Sequence, residues 1–136
     1  ATISMELAQK AAAAAVEKCL KDGYRVSAAV VDSGGTLKAL LRADGAGPHT
    51  TDSSRKKAYT SASLRRPTSE FAALIAKNPE LGALRDMNDE ILLLGGGFPI
   101  RIEGEVVGGI GVGGAPGAKL DEACAKAGLE AIEAGE

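Results

Sequence analysis

The sequence predicts an α+β fold: an antiparallel sheet with helices packed on it, in a single domain over residues 1–136. Three observations carry this. Apolar residues recur at helical spacing at both ends of the chain. Between them, β-rich runs are joined by short turns, and strands joined that way must be antiparallel neighbours. Nowhere do strands and helices alternate with the crossover connections a parallel sheet requires. The predicted element order is αββααβββα, with five strands.

The first helix spans Ser4 to Asp22. Ser4 is its N-cap, Met5, Ala8, Ala12, Val16 and Cys19 recur on one face, and Gly23 supplies the stop. Two β-rich runs follow, Val26 to Val31 and Thr36 to Arg42, joined by Asp32-Ser33-Gly34-Gly35, where Asp32 caps the turn rather than acting as a base. Thr50 to Leu64 reads as a helix that Pro67 ends, and Thr68 to Ala76 as another. A polar connector, KNPELGALRDMND, leads to three further predicted strands: Glu90 to Leu94, Phe98 to Ile102, and Glu105 to Val112, the last two joined by a Glu103-Gly104 turn. Leu120, Cys124, Ala127 and Ala131 mark the buried stripe of a C-terminal helix starting near Asp121.

Composition narrows the function. Sixteen basic and eighteen acidic residues are scattered along the chain, and the aromatics are two Tyr and two Phe. That leaves neither a phosphate-tracking patch nor a base-stacking platform, so nucleic acid is not an expected partner. The apolar runs fall well short of the roughly 20 residues of a membrane helix, so a soluble protein without membrane insertion is expected. The chain begins at Ala1, which leaves two expectations for location: cytoplasmic, or secreted if a leader was removed.

Gly109, Gly111 and Gly114 fall in the spacing G-x-G-x-x-G. A dinucleotide fingerprint belongs at the first strand-to-helix turn of a βαβ unit, with an acidic residue about 20 positions on. Here only one predicted helix follows, so the glycines are read as shaping a close packing or ligand surface. No catalytic constellation stands out, because Ser33-Gly34-Gly35 lacks a strand-elbow-helix context and His49 is the only histidine.

Several motifs occurring in order, AAVVDSGGTLKALLRADGAGPHT, RKKAYTSAS, RRPTSEFA, GGGFPI and GEVVGGIGVGGAPGAKLDEACAKAG, resemble the GlcG/HbpS family, which includes haem-binding proteins, glycolate-operon accessory proteins and the C-terminal domain of PduO-type proteins. The resemblance spans nearly the whole chain. It implies a five-stranded profilin-like sheet, a homo-oligomer that is often an octamer, and haem held near or between subunits with its iron contacted from the connector before the third strand. The function it implies is haem binding for sequestration or sensing, with a sensor protein as a further partner. The alternative is an accessory enzyme or binding subunit acting on a small organic acid in glycolate- or diol-type metabolism.

Within the resemblance the axial position falls on Met87 when aligned from Pro67 and Pro79, and on Glu90 when aligned backwards from Gly95-Gly96. Met87 would offer a thioether to the haem iron. An acidic D/E-x-x-E pair that HbpS-like proteins carry falls here on Asp52 and Arg55, and the arginine removes a hard oxygen ligand. Arg42, Lys56 and Lys57 match basic positions of the family and would neutralise haem propionates or another carboxylate; the alternative for each is a solvated salt bridge to Asp44 or Asp52. His49 is either an iron ligand or pH sensor, or an exposed loop histidine. Oligomer contacts are expected from the Ala-rich face of Ala11 to Val16 and from the glycine-rich strands. In the implied topology the first and last helices lie side by side, so Cys19 and Cys124 could approach; two reduced thiols are the default expectation.

Overall fold

The computed structural model describes all 136 residues. Helix α1 (Met5–Lys21) precedes β1 (Ser27–Asp32) and β2 (Leu37–Arg42). Helices α2 (His49–Leu64) and α3 (Thr68–Lys77) follow, then a 3-10 helix (Pro79–Asp86), β3 (Gly97–Ile102), β4 (Glu105–Gly113) and α4 (Ala118–Ala131). The sheet has four strands in the order β2-β1-β4-β3, every neighbouring pair antiparallel. No helix is long and apolar enough to cross a membrane.

Local chemistry sets the boundaries. Ser4 Oγ accepts a hydrogen bond from the Leu7 amide at 3.2 Å, capping α1. Asp32 Oδ1 accepts from the amides of Gly34 (2.9 Å) and Thr36 (3.0 Å) and so shapes the β1–β2 turn. Glu103 and Gly104 both take positive φ, 54° and 79°, as a two-residue hairpin between right-twisted strands demands.

The third of the five predicted strands, Glu90 to Leu94, does not form, so the sheet has four strands and not five. Residues 90–94 pair with no strand; they cross the surface as a strap between the 3-10 helix and β3. Their apolar character, which a sheet position would explain, comes instead from lining a cleft.

Strand alternation divides the core in two. Val26, Ala28 and Val30 pack with Phe98, Ile110 and Val112 beneath α1 and α4, while Ala29 and Val31 face Ala58 and Ala62 of α2. Small residues let α2 lie almost on the sheet: a Cβ on Gly111 would collide with the Ser54 carbonyl oxygen, and one on Gly109 with that of Ala58. The glycine spacing of β4 thus serves backbone packing and not a dinucleotide.

The alanines of α1 are spent internally as well. Ala11, Ala12 and Ala15 are fully buried and Ala11 abuts Gly128 of α4, so this face is not the oligomer surface expected from the sequence. At that same contact Cys19 and Cys124 form a disulfide with Cα atoms 5.7 Å apart, which overturns the expectation of two reduced thiols. Both cysteines lie at buried helix positions, as their spacing predicts; a partner 105 residues away is set by helix packing, which spacing does not report.

Candidate functional site

An apolar concavity lies between α3 and the strap. It measures about 410 Å³ and is lined by Ala72 and Ile75 of α3, by the strap from Ile91 to Leu94, and by Arg85, its one charged residue. That is within the size range of small-ligand sites, which are mostly apolar with a few polar groups that fix orientation. The sequence supplies the walls plainly: Ile91-Leu92-Leu93-Leu94 is the longest aliphatic run in the connector region, and with no strand to join it turns toward α3.

Arg85 lies in the last turn of the 3-10 helix, with Nε donating to the Gly82 carbonyl at 3.2 Å, and its guanidinium has further donors for a ligand carboxylate. Met87 caps the same helix two residues on and is 50 % exposed. It is not among the residues that line the cleft.

Glu90 is differently disposed. Its carboxylate accepts a charge-assisted hydrogen bond from Arg55 Nη1, and its amide donates to Asn88 Oδ1 at 2.8 Å. Arg55 Nη2 also donates to Asp52 Oδ1 at 3.0 Å, and Lys56 Nζ lies 3.3 Å from Asp52 Oδ2. The hydrogen bond to Glu90, opposed by some desolvation, raises the Arg55 pKa above its ordinary value. The hydrogen bond from Arg55, aided by Lys56, holds the Asp52 carboxyl below its ordinary value. Asp52 is thus an acceptor for two cations at the start of α2.

The basic residues do not converge on one cradle. Arg42 uses Nε and Nη2 to donate to the Ala46 carbonyl at 2.9 and 2.7 Å, pinning the loop after β2. Lys56 pairs with Asp52. Lys57 is buried: Nζ donates to the Val112 carbonyl at 2.9 Å and to Asp121 Oδ2 at 3.3 Å, tying α2 to β4 and α4. Burial raises the Asp121 carboxyl above its ordinary value, although Lys57 and the Ala115 amide pull it down.

His49 is the first residue of α2 and exposed, not a loop residue. It does not line the cleft. Arg55 and Thr60, the α2 residues that touch the strap, lie six and eleven residues further along, roughly 9 and 16 Å at the helical rise. None of Met87, Glu90, His49, Arg42, Lys56 and Lys57 is among the residues that line the cleft; Met87 and Glu90 are next to it only in sequence, two residues after Arg85 and one before Ile91.

Sequence reasoning missed Arg85, Ile75 and the Arg55–Glu90 pair. Arg85 carried a usable signal, since it stands two residues before Met87 in the connector. The ion pair spans 35 positions and carried none.

Comparison with known proteins agrees with this architecture. A family model described as "Haem degrading protein HbpS-like" matches residues 3–130. The 15.0 kDa protein of the dhaT–dhaS intergenic region of Citrobacter freundii is 36% identical over 115 residues, covering 84% of this chain and 81% of that protein. Protein GlcG of Escherichia coli K12 is 34% identical over 110 residues, 81% of this chain and 80% of GlcG. Among solved structures, a double mutant of HbpS from Streptomyces reticuli superposes with a TM-score of 0.88 at 47% identity, covering 96% of this chain and 86% of that one. A PduOC–haem complex superposes with a TM-score of 0.90 at 25% identity, covering 99% and 98%.

Proposed function

The chain belongs to the HbpS-like family, and on that premise we propose that it binds haem in the cleft between α3 and the strap. The observation that carries this reading is the cleft itself: about 410 Å³, walled by aliphatic side chains with the Arg85 guanidinium as its one charged group, in the same connector that carries the half-exposed Met87 two residues on. That donor set suits a porphyrin, whose macrocycle is apolar, whose propionates are anionic and whose iron accepts a thioether. The match to HbpS and to the PduOC–haem complex supports it.

Each residue has a definite task in this reading. Ile75 and the strap leucines shed water onto the ligand's apolar faces. Arg85 pairs with a carboxylate and fixes orientation. Met87 would offer its thioether to the haem iron, because the Glu90 carboxylate is already engaged by Arg55. When bound, haem supplies an iron centre whose preference between redox states is set by its axial ligand.

Sequestration or sensing is the role that fits a site with a bound cofactor and no catalytic constellation around it. A homo-oligomer, with an octamer as the family-implied state, has a surface available: β2 is an edge strand, and Leu37, Leu40 and Leu41 on it are 36–40 % exposed. The buried disulfide favours an exported protein over a cytoplasmic one. Arg42, Lys56 and Lys57 are each engaged by a separate protein group, which weighs against a shared cradle for a small acid and for haem propionates alike and leaves Arg85 as the cation at the cleft.

The test is a hemin titration followed by absorbance and by light scattering. Saturable growth of a Soret band at one haem per subunit, or per subunit pair, is expected from an assembly larger than a monomer. No saturable band at micromolar hemin would remove the proposal. Following the loaded protein with reductant and dioxygen then reads whether bound haem is merely held or consumed.

A further inference from the structure

The strap that forms one wall of the cleft has little backbone structure of its own. Between Asn88 and Gly95 the only backbone–backbone hydrogen bond runs from the Ile91 amide to the Asn88 carbonyl, a long 3.4 Å. What fixes the strap is α2. Arg55 holds the Glu90 carboxylate, and Thr60 Oγ1, on a fully buried side chain, accepts from the Leu92 amide at 2.9 Å. Beyond the strap, Thr68 Oγ1 accepts from the Gly97 amide at 3.0 Å and anchors the entry to β3.

The platform behind these contacts is rigid. Helix α2 is seated on the glycines of β4 and locked by the Lys57–Asp121 pair. A side chain reaching from α2 to the strap therefore couples a fixed element to an otherwise weakly held one.

We propose that Arg55 and Thr60 are positioning residues for the cleft: they clamp residues 90–92 to α2, keep Ile91 to Leu94 presented toward Ile75, and thereby set how long a ligand stays. The inference rests on the haem reading for the identity of the ligand, but the clamp itself belongs to the free protein. The two contacts differ physically. Arg55 and Glu90 are 30% and 40% exposed, so their pairing is weakened by salt, whereas the Thr60 bond is shielded. Strap opening should thus respond to ionic strength only through Arg55 and Glu90.

The experiment uses the full chain without ligand, as parent, Arg55→Gln, Glu90→Gln, the double variant, and Arg55→Lys. Hydrogen exchange of the Ile91 to Leu94 amides is measured at low and high salt. Exchange should quicken about three- to fivefold in each single variant, as expected for losing a part-exposed ion pair, with no further gain in the double variant. Arg55→Lys should recover part of the protection, and high salt should quicken the parent but not the double variant. Hemin release into a haem scavenger should accelerate in step, with the association rate changed less than twofold, roughly the pattern of an off-rate effect. Unchanged strap exchange in both single variants, or fully additive effects in the double variant, would overturn the clamp. A parent that takes up no hemin would instead end the haem reading, with the exchange result still deciding the clamp.

Discussion

Lys57 of α2 places its Nζ 3.3 Å from Asp121 Oδ2 at the start of α4, with each side chain only 6 % exposed. A pair so buried is weak as a source of stability, but removing one member leaves the other charge without compensation. Lys57→Met should therefore cost about 3–5 kcal/mol at neutral pH. Burial already raises the Asp121 carboxyl above its ordinary value of 3.8, and losing the lysine raises it further. A carboxyl raised in the folded state contributes stability that is present below its unfolded value and lost as pH rises through its folded value. The gap between variant and parent should accordingly be smaller near pH 4 than at pH 7. Chemical denaturation of both proteins at the two pH values measures it, and a gap that widens toward pH 4 would contradict the buried pairing.

Cys19 and Cys124 join helices from opposite ends of the chain. Closing a loop of 105 residues restricts the unfolded ensemble strongly, so Cys19→Ala with Cys124→Ala should cost about 2–5 kcal/mol. Thermal melts of parent and double variant, with and without reductant, check this: reductant should lower the parent's Tm and leave the variant's unchanged. Thiol counting in denaturant without reductant should find none in the parent.

The sequence made the helices legible because their signals are local: Ser4 ahead of α1, Pro67 between α2 and α3, and Asp32 and Glu103-Gly104 at the turns. Residues 90–94 misled because an apolar run has the same composition whether a sheet or a cleft buries it, and only pairing partners tell the two apart. The same limit governed the site. Met87 and Glu90 were legible as a pair of candidates, but what separates them is Arg55, which the fold brings from 35 residues away. Lys57 looked like its neighbour Lys56 in sequence, yet one helical position turns it from the surface into the core.

That separation gives a spectroscopic expectation. With Glu90 held by Arg55 and Met87 half exposed, Met87→Ala should alter the ferrous spectrum of the hemin-loaded protein, because a soft thioether favours ferrous iron. Glu90→Ala should leave the axial signature in place while loosening the strap. Absorption spectra of both variants in both redox states are the measurement. A Met87→Ala protein that matches the parent in both states would eliminate methionine as the ligand.

If haem binds in the cleft between α3 and the strap, filling that cleft with a bulky side chain must weaken binding. Ile75 lines the cleft and is only partly buried, so Ile75→Trp fills the space with little demand on the core. Hemin titrations of parent and Ile75→Trp, followed at the Soret band and accompanied by thermal melts that verify the variant is folded, should give saturable binding in the parent and at least tenfold weaker binding in the variant, about the 1.4 kcal/mol that a displaced apolar contact readily supplies. Equal, saturable hemin binding by a folded Ile75→Trp protein would place the haem site outside this cleft.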